Sequence, residues 1–415
     1  MQVKGQAGSS RFVFSCVRGI IFLVLFLSVA TASHAQKDNR IVIGTTEVFH
    51  SSVLGEDRTI LVHVPQGEPG QRYPVLYVLD GEDHFGSAVA FTEQLSGVFP
   101  QLIVVGIKNT DRQRDLTPDK GHIGKILSAN ESARSGGGGN FMSFVEKDLI
   151  PYIDQHYPTA PYRIISGHSL GGLAVLNAFY YHTALFNAYI AIDPSIWWDD
   201  QDWVRTAEKS FLKKDFANRR LFVAAANNIP AGYDIKSILK DTTGLSPVTQ
   251  AVLPFISFLR ESKLRNLDWS SKFYQNERHG TVELNAEYDA LRYIFRDYEF
   301  NVRQFNEHPD WDRYVLLKAH YQEVSQRMGY TVLPSESMVN QLGYACMEQH
   351  QMKQAAALFE RNTNEHPKSA NAFDSLGDYY VAAGDKPKAI EAFSKSLTLG
   401  NTTETRQKLD VLRGK

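Results

Sequence analysis

The chain has 415 residues, a formal net charge of −2, and 43% hydrophobic against 22% charged residues, the balance of a folded protein with a sizeable core. No basic stripe interleaved with aromatics runs along it, which argues against a nucleic-acid partner. Two cysteines, Cys16 and Cys346, are too few for a disulfide framework.

Lys4, Arg11 and Arg18 precede the apolar run "IIFLVLFLSVA", and the small residues "ATASHA" follow it. That order predicts a secretory signal peptide over residues 1–35, cut after Ala35, and hence export to the periplasm or beyond the cell. The 15 uncharged residues between Arg18 and His34 fall short of the ~20 a spanning helix needs. An uncleaved anchor is therefore the second reading, and no integral membrane segment is expected after cleavage. Cys346 then stands alone, so the exported chain relies on its core and not on disulfides. The remaining ~380 residues exceed a typical single core and predict two domains, 36–305 and 306–415.

From Arg40 to Ile107 short β-branched runs alternate with Gly, Pro and Asp: "RIVIGTTEVFHS", "EDRTILVHVP", "YPVLYVLDG" and "LIVVGI". After Asn140 helices and strands alternate, with "AYIAID", "RRLFVAAAN" and "SSKFYQN" as further strands. This succession predicts an α/β fold: a mixed, mostly parallel sheet with helices on both faces and its reactive groups beyond the carboxyl ends of the strands. The glycine run Gly136–Gly139 follows polar residues, reads as a mobile flap, and lacks the Lys-Ser/Thr of a phosphate loop.

Within the alternating part, the apolar strand Tyr162–Ser166 runs into Gly167-His168-Ser169-Leu170-Gly171, and helical spacing resumes from Leu173. Strand, tight turn and helix are the context a G-x-S-x-G nucleophile elbow requires. The glycines give room for a strained turn, and Ser169 would stand at a helix N-terminus, where backbone N–H groups favour an oxyanion. A serine hydroxyl needs a base, and in the hydrolase order the histidine comes last, after the final strand. His279 in "FYQNERHGTVEL" is so placed. The carboxylate that fixes the imidazole is expected after "RRLFVAAAN", where Asn227 and Asn228 stand instead. Asp234 is the selected acid, with Asp241 and Glu277 nearby and a Ser-His dyad as the alternative. The oxyanion donors are expected at the N–H of Leu170 and in the loop after "YPVLYVLDG", at Gly81 or Glu82, with His84 close by.

The last hundred residues follow another rule. Leu342 and Leu376, Gly343 and Gly377, Ala355 and Ala389, and Phe359 and Phe393 each lie 34 apart, the tetratricopeptide period of paired helices. A third helical element is expected before them, since two repeats rarely stand alone. The repeat leaves a concave face open to a protein or peptide partner.

"YPVLYVLDG", "NTDRQRDLTP", "FMSFVEKDLIPYI", "YRIISGHSLGG", "DPSIWW" and "HGTV" together resemble, over Arg40 to Tyr298, an esterase family of α/β hydrolases. That family includes siderophore (enterobactin-type) esterases, S-formylglutathione hydrolases, feruloyl esterases and mycolyltransferases, and "DRQRDLTP" with Pro-Ser-x-Trp-Trp draws the chain toward the siderophore branch. The resemblance implies Ser169 as nucleophile, His279 as base, Arg114 lining the substrate pocket and Trp197 and Trp198 near its wall. From the residues alone, Arg114 with Asp115 reads equally as a structural ion pair. An exported serine esterase acting on a small-molecule ester is the expectation. No metal-ligand spacing is present and no cofactor is required. A catalytically weak scaffold whose tail recruits a partner, and an acyltransferase, are the alternatives.

Overall fold

The computed structural model describes residues 41–67, 70–121, 128–400 and 402–415. The expected signal peptide lies outside the described residues. Eight strands form one sheet: β1 (Thr45–Ser51), β2 (Glu56–His63), β3 (Tyr73–Leu79), β4 (Ile103–Ile107), β5 (Thr159–His168), β6 (Ala188–Ile192), β7 (Asp215–Ala226) and β8 (Arg265–Tyr274). Their order across the sheet is β1-β2-β4-β3-β5-β6-β7-β8. β1 and β2 enter antiparallel, and every pairing from β4 onward is parallel. The mostly parallel α/β expectation matches this sheet.

β3, β4 and β6 are buried along their whole length, as strands covered on both faces must be. Successive side chains point to opposite faces. Val75, Tyr77 and Leu79 enter one core, which the helices Leu170–Tyr181 and Pro247–Glu261 cover; Leu76 and Val78 enter the other. That second face is covered by α1 (Gly81–Gln94) and α3 (Val282–Ile294), with α2 denoting Leu170–Tyr181 on the first.

The chain then runs through α4 (Arg313–Met328), α5 (Glu336–Glu348), α6 (Met352–Glu365), α7 (Ala370–Ala382), α8 (Lys386–Leu399) and α9 (Thr403–Arg413). α7 begins 34 residues after α5, and α8 34 after α6. A Cβ on Gly343 would come 2.6 Å from the Phe359 ring, and one on Gly377 2.5 Å from that of Phe393. Each small residue therefore admits the aromatic of the next helix. Leu317, Tyr321, Val324, Leu342 and Phe359 join the same apolar core as Phe295, Phe300 and β3. The boundary read at 305 thus falls inside a continuous core. Among the described residues, no helix is long and apolar enough to cross a membrane.

Candidate active site

β5 delivers Ser169 to the carboxyl edge of the sheet, and α2 starts at the next residue. Ser169 has φ 61° and ψ −118°, a conformation costing on the order of 1–3 kcal/mol that the surroundings must hold. Three backbone bonds hold it: its N–H donates to the Ile192 carbonyl at 3.0 Å, and its carbonyl accepts from the Ser195 N–H at 2.9 Å and the Leu173 N–H at 3.1 Å. Glycine on either side is a steric necessity, because a Cβ on Gly167 would lie 2.5 Å from the Gly171 backbone and one on Gly172 2.9 Å from Pro194.

The loop after β8 brings His279 over this turn. Its Nε2 is 2.9 Å from Ser169 Oγ, and its Nδ1 is 2.6 Å from Asp193 Oδ2. Asp193 follows β6, is 1% exposed and has φ 40°. Its carboxylate accepts from the Ala226 N–H at 2.9 Å and the Asn228 amide at 2.8 Å, while Asn228 Oδ1 accepts from the His279 N–H at 2.8 Å. The line from the Ser169 hydroxyl to the Asp193 carboxylate is thus continuous, and Asn228 braces both His279 and Asp193. Ser195 Oγ lies 3.2 Å from Ser169 Oγ.

Asp193, not Asp234, occupies the position beside the histidine. Asp234 caps the short helix Ile235–Ile238, accepting from the Ser237 N–H at 2.7 Å, and is exposed. Its own backbone captures it, as a good N-cap residue's does. Sequence reasoning looked for the acid after β7. The signal for Asp193 was an aspartate directly at the end of β6, the strand beside the one that carries Ser169, together with an asparagine where the acid was expected.

Leu170 opens α2, so its N–H has no partner in an earlier turn of that helix. Gly81 opens α1, and the loop before it touches the elbow: a Cβ on Gly171 would stand 3.3 Å from Asp80 Oδ2. Arg114 is held in an ion-pair cluster. Its guanidinium is bound to Glu56 at 2.6 and 3.0 Å and to Asp115 at 2.6 Å, beside the buried Arg58. Arg112 instead grips Asp80 at 2.7 and 2.9 Å. Trp198 is 2% exposed and donates to the Asp119 carbonyl, so it packs the wall from within; Trp197 keeps part of its surface open. The glycine run read as a flap is a tight seam, with the Gly137 and Gly138 N–H groups donating to the Arg114 and Thr117 carbonyls. His168 is largely buried beside His279, and burial first, then that neighbour, lowers its pKa to about 4. Among the described residues, no cluster of three or more His, Cys, Asp or Glu is arranged to hold a metal.

The hydrolase-like fold has known counterparts. Residues 51–228 match the model of the Esterase family, described as "Putative esterase". The ferri-bacillibactin esterase BesA of Bacillus subtilis is 32% identical over 179 residues, covering 39% of this chain and 62% of the relative. The siderophore enterobactin esterase of Emericella nidulans is 27% identical over 158 residues, covering 34% and 52%. The chain therefore aligns with little more than half of these relatives' length. An IroE-like serine hydrolase from Shewanella oneidensis superposes with a TM-score of 0.66 at 28% identity, over 77% of this chain and 99% of that one.

Proposed function

We propose that the protein is a serine esterase, exported from the cytoplasm, that cleaves a carboxylic ester of the siderophore class. The observation that carries the reading is the line from Ser169 Oγ through His279 to Asp193, at 2.9 and 2.6 Å. His279 Nε2 takes the hydroxyl proton as Ser169 Oγ adds to the ester carbonyl, and Asp193 holds the other ring nitrogen in its N–H tautomer and steadies the imidazolium. The N–H groups of Leu170 and Gly81 are the donors for the oxyanion. Collapse expels the alcohol, which receives the proton from His279. Water, activated by the same imidazole, then releases the acid from the acyl-enzyme.

The presence of Asp193 supports catalysis over the scaffold alternative, removing one of its two grounds, the missing acid, while the added helical tail stays. The siderophore class rests on relatives whose names state ferri-bacillibactin and enterobactin as their esters, and Trp197 supplies a partly open flat surface suited to an aromatic acyl group. The 34-residue register of α5–α8 supports a tetratricopeptide pair in the tail. The test is turnover of nitrophenyl butyrate by the chain from Gln36 to Lys415 beside Ser169→Ala and His279→Ala. A loss of roughly 10⁴-fold or more in both variants is expected, and the parent chain should then cleave ferri-bacillibactin or enterobactin. Equal inertness of all three, with no serine-reactive phosphonate on Ser169, would overturn the reading.

A further inference from the structure

Next to His279 runs a row of titratable side chains that ester cleavage leaves unused. His168 has its ring centre 4.6 Å from that of His279 and 6.1 Å from that of His84, which it meets edge-on. His84 Nδ1 is 3.3 Å from Glu283 Oε1, and the two side chains are only 18% and 12% exposed. One turn further along α3, Glu287 is fully buried.

Their charges can be assigned. Burial, and then the charge of Glu283, raises Glu287 well above the usual carboxyl range, so it holds its proton. His168 is neutral, facing His279, Asp193 and His84. Burial opposes a cation at His84, but the hydrogen bond and charge of Glu283, with Asp80 and Asp83 behind it, outweigh that and raise it. What remains is the close His84–Glu283 contact, in a poorly solvated row where screening is weak.

We propose, resting on the esterase reading, that His84 and Glu283 are positioning residues. Their pairing cancels a shielded negative charge that would otherwise bias His279 toward its protonated, non-basic form, and His168 is the neutral spacer between them.

The test follows ring signals of labelled histidines against pH, together with the pH profile of kcat/KM for nitrophenyl butyrate, in the chain from Gln36 to Lys415. In His84→Gln, Glu283 stands uncompensated, and both the His279 signal midpoint and the acid limb move up by about half a pH unit. In Glu283→Gln the His84 midpoint falls while the acid limb holds. In the double variant the acid limb returns to that of the parent. An acid limb unmoved in His84→Gln, or a double variant that keeps the shift of the single, overturns the proposal. If His84→Gln does not fold, an unchanged His84 midpoint in Glu283→Gln overturns it. The ring signals need no turnover: a chain whose Ser169 takes no phosphonate loses the esterase reading, while the His279 midpoint still decides the pairing.

Discussion

At φ 40° Asp193 holds a backbone conformation that non-glycine residues seldom adopt, and the hydrogen bonds from Ala226 and Asn228 keep it there. Asp193→Asn should therefore leave the fold intact but free the His279 tautomer, lowering kcat by about 10⁴-fold. Asp234→Asn should leave kcat within about twofold, and steady-state kinetics on one ester separates the two. Ser169 and His279 were legible because each announces itself locally, in a glycine-bounded turn and in a loop after the last strand. Asp193 was not, because its pairing with a residue 86 positions away depends on how the β6 end meets the loop after β8. Glu287 yields a second prediction at this scale. The folded chain keeps it protonated while the unfolded chain ionises it in the ordinary range, so stability falls as pH rises above that range. Glu287→Gln should melt with the parent near pH 4 and about 2 °C or more above it at pH 8, in thermal scans at both values.

Among the elements, the elbow has the narrowest tolerance. Gly167→Ala sets a methyl against the Gly171 backbone, with no flexible side chain to yield. A loss of about 2–4 kcal/mol is expected, together with loss of phosphonate labelling, because any relief moves Ser169. Gly139 sits early in the helix Gly138–Phe144, and an added Cβ there meets nothing within 4 Å. Gly139→Ala should raise stability by about 0.5–1 kcal/mol in urea melts. The contrast explains why the glycine run misled sequence reading. Composition registers four adjacent glycines as freedom, yet Gly137 and Gly138 serve close approach to residues 114–118. The mostly parallel sheet was easier to read, since its apolar strand runs alternate with helical segments along the chain. The role of Arg114 was harder, because Glu56 reaches it from 58 residues away.

Across the whole molecule, the tail is built into the second face of the sheet. Phe295, Phe300 and Phe305 share their core with Leu317, Tyr321 and Val324, and Arg327 pairs with Asp297 across the same seam. The 34-residue period marked the helix pairs of the tail but carried no information about what they rest on, because a sequence period encodes contacts within itself. A chain ending at Phe305 would expose these aromatics, and each fully uncovered large apolar side chain costs about 1.5–3 kcal/mol, against the ~5–15 kcal/mol that usually holds a folded chain together. The truncated protein should therefore be insoluble or bind a hydrophobic dye, with no esterase turnover, although Ser169, His279 and Asp193 are all present. The intact chain should unfold in one calorimetric transition in which loss of turnover coincides with loss of tail helicity. Two separated transitions, with turnover surviving the first, would mean that the helices are an appended module and that the shared core contributes little to holding the site.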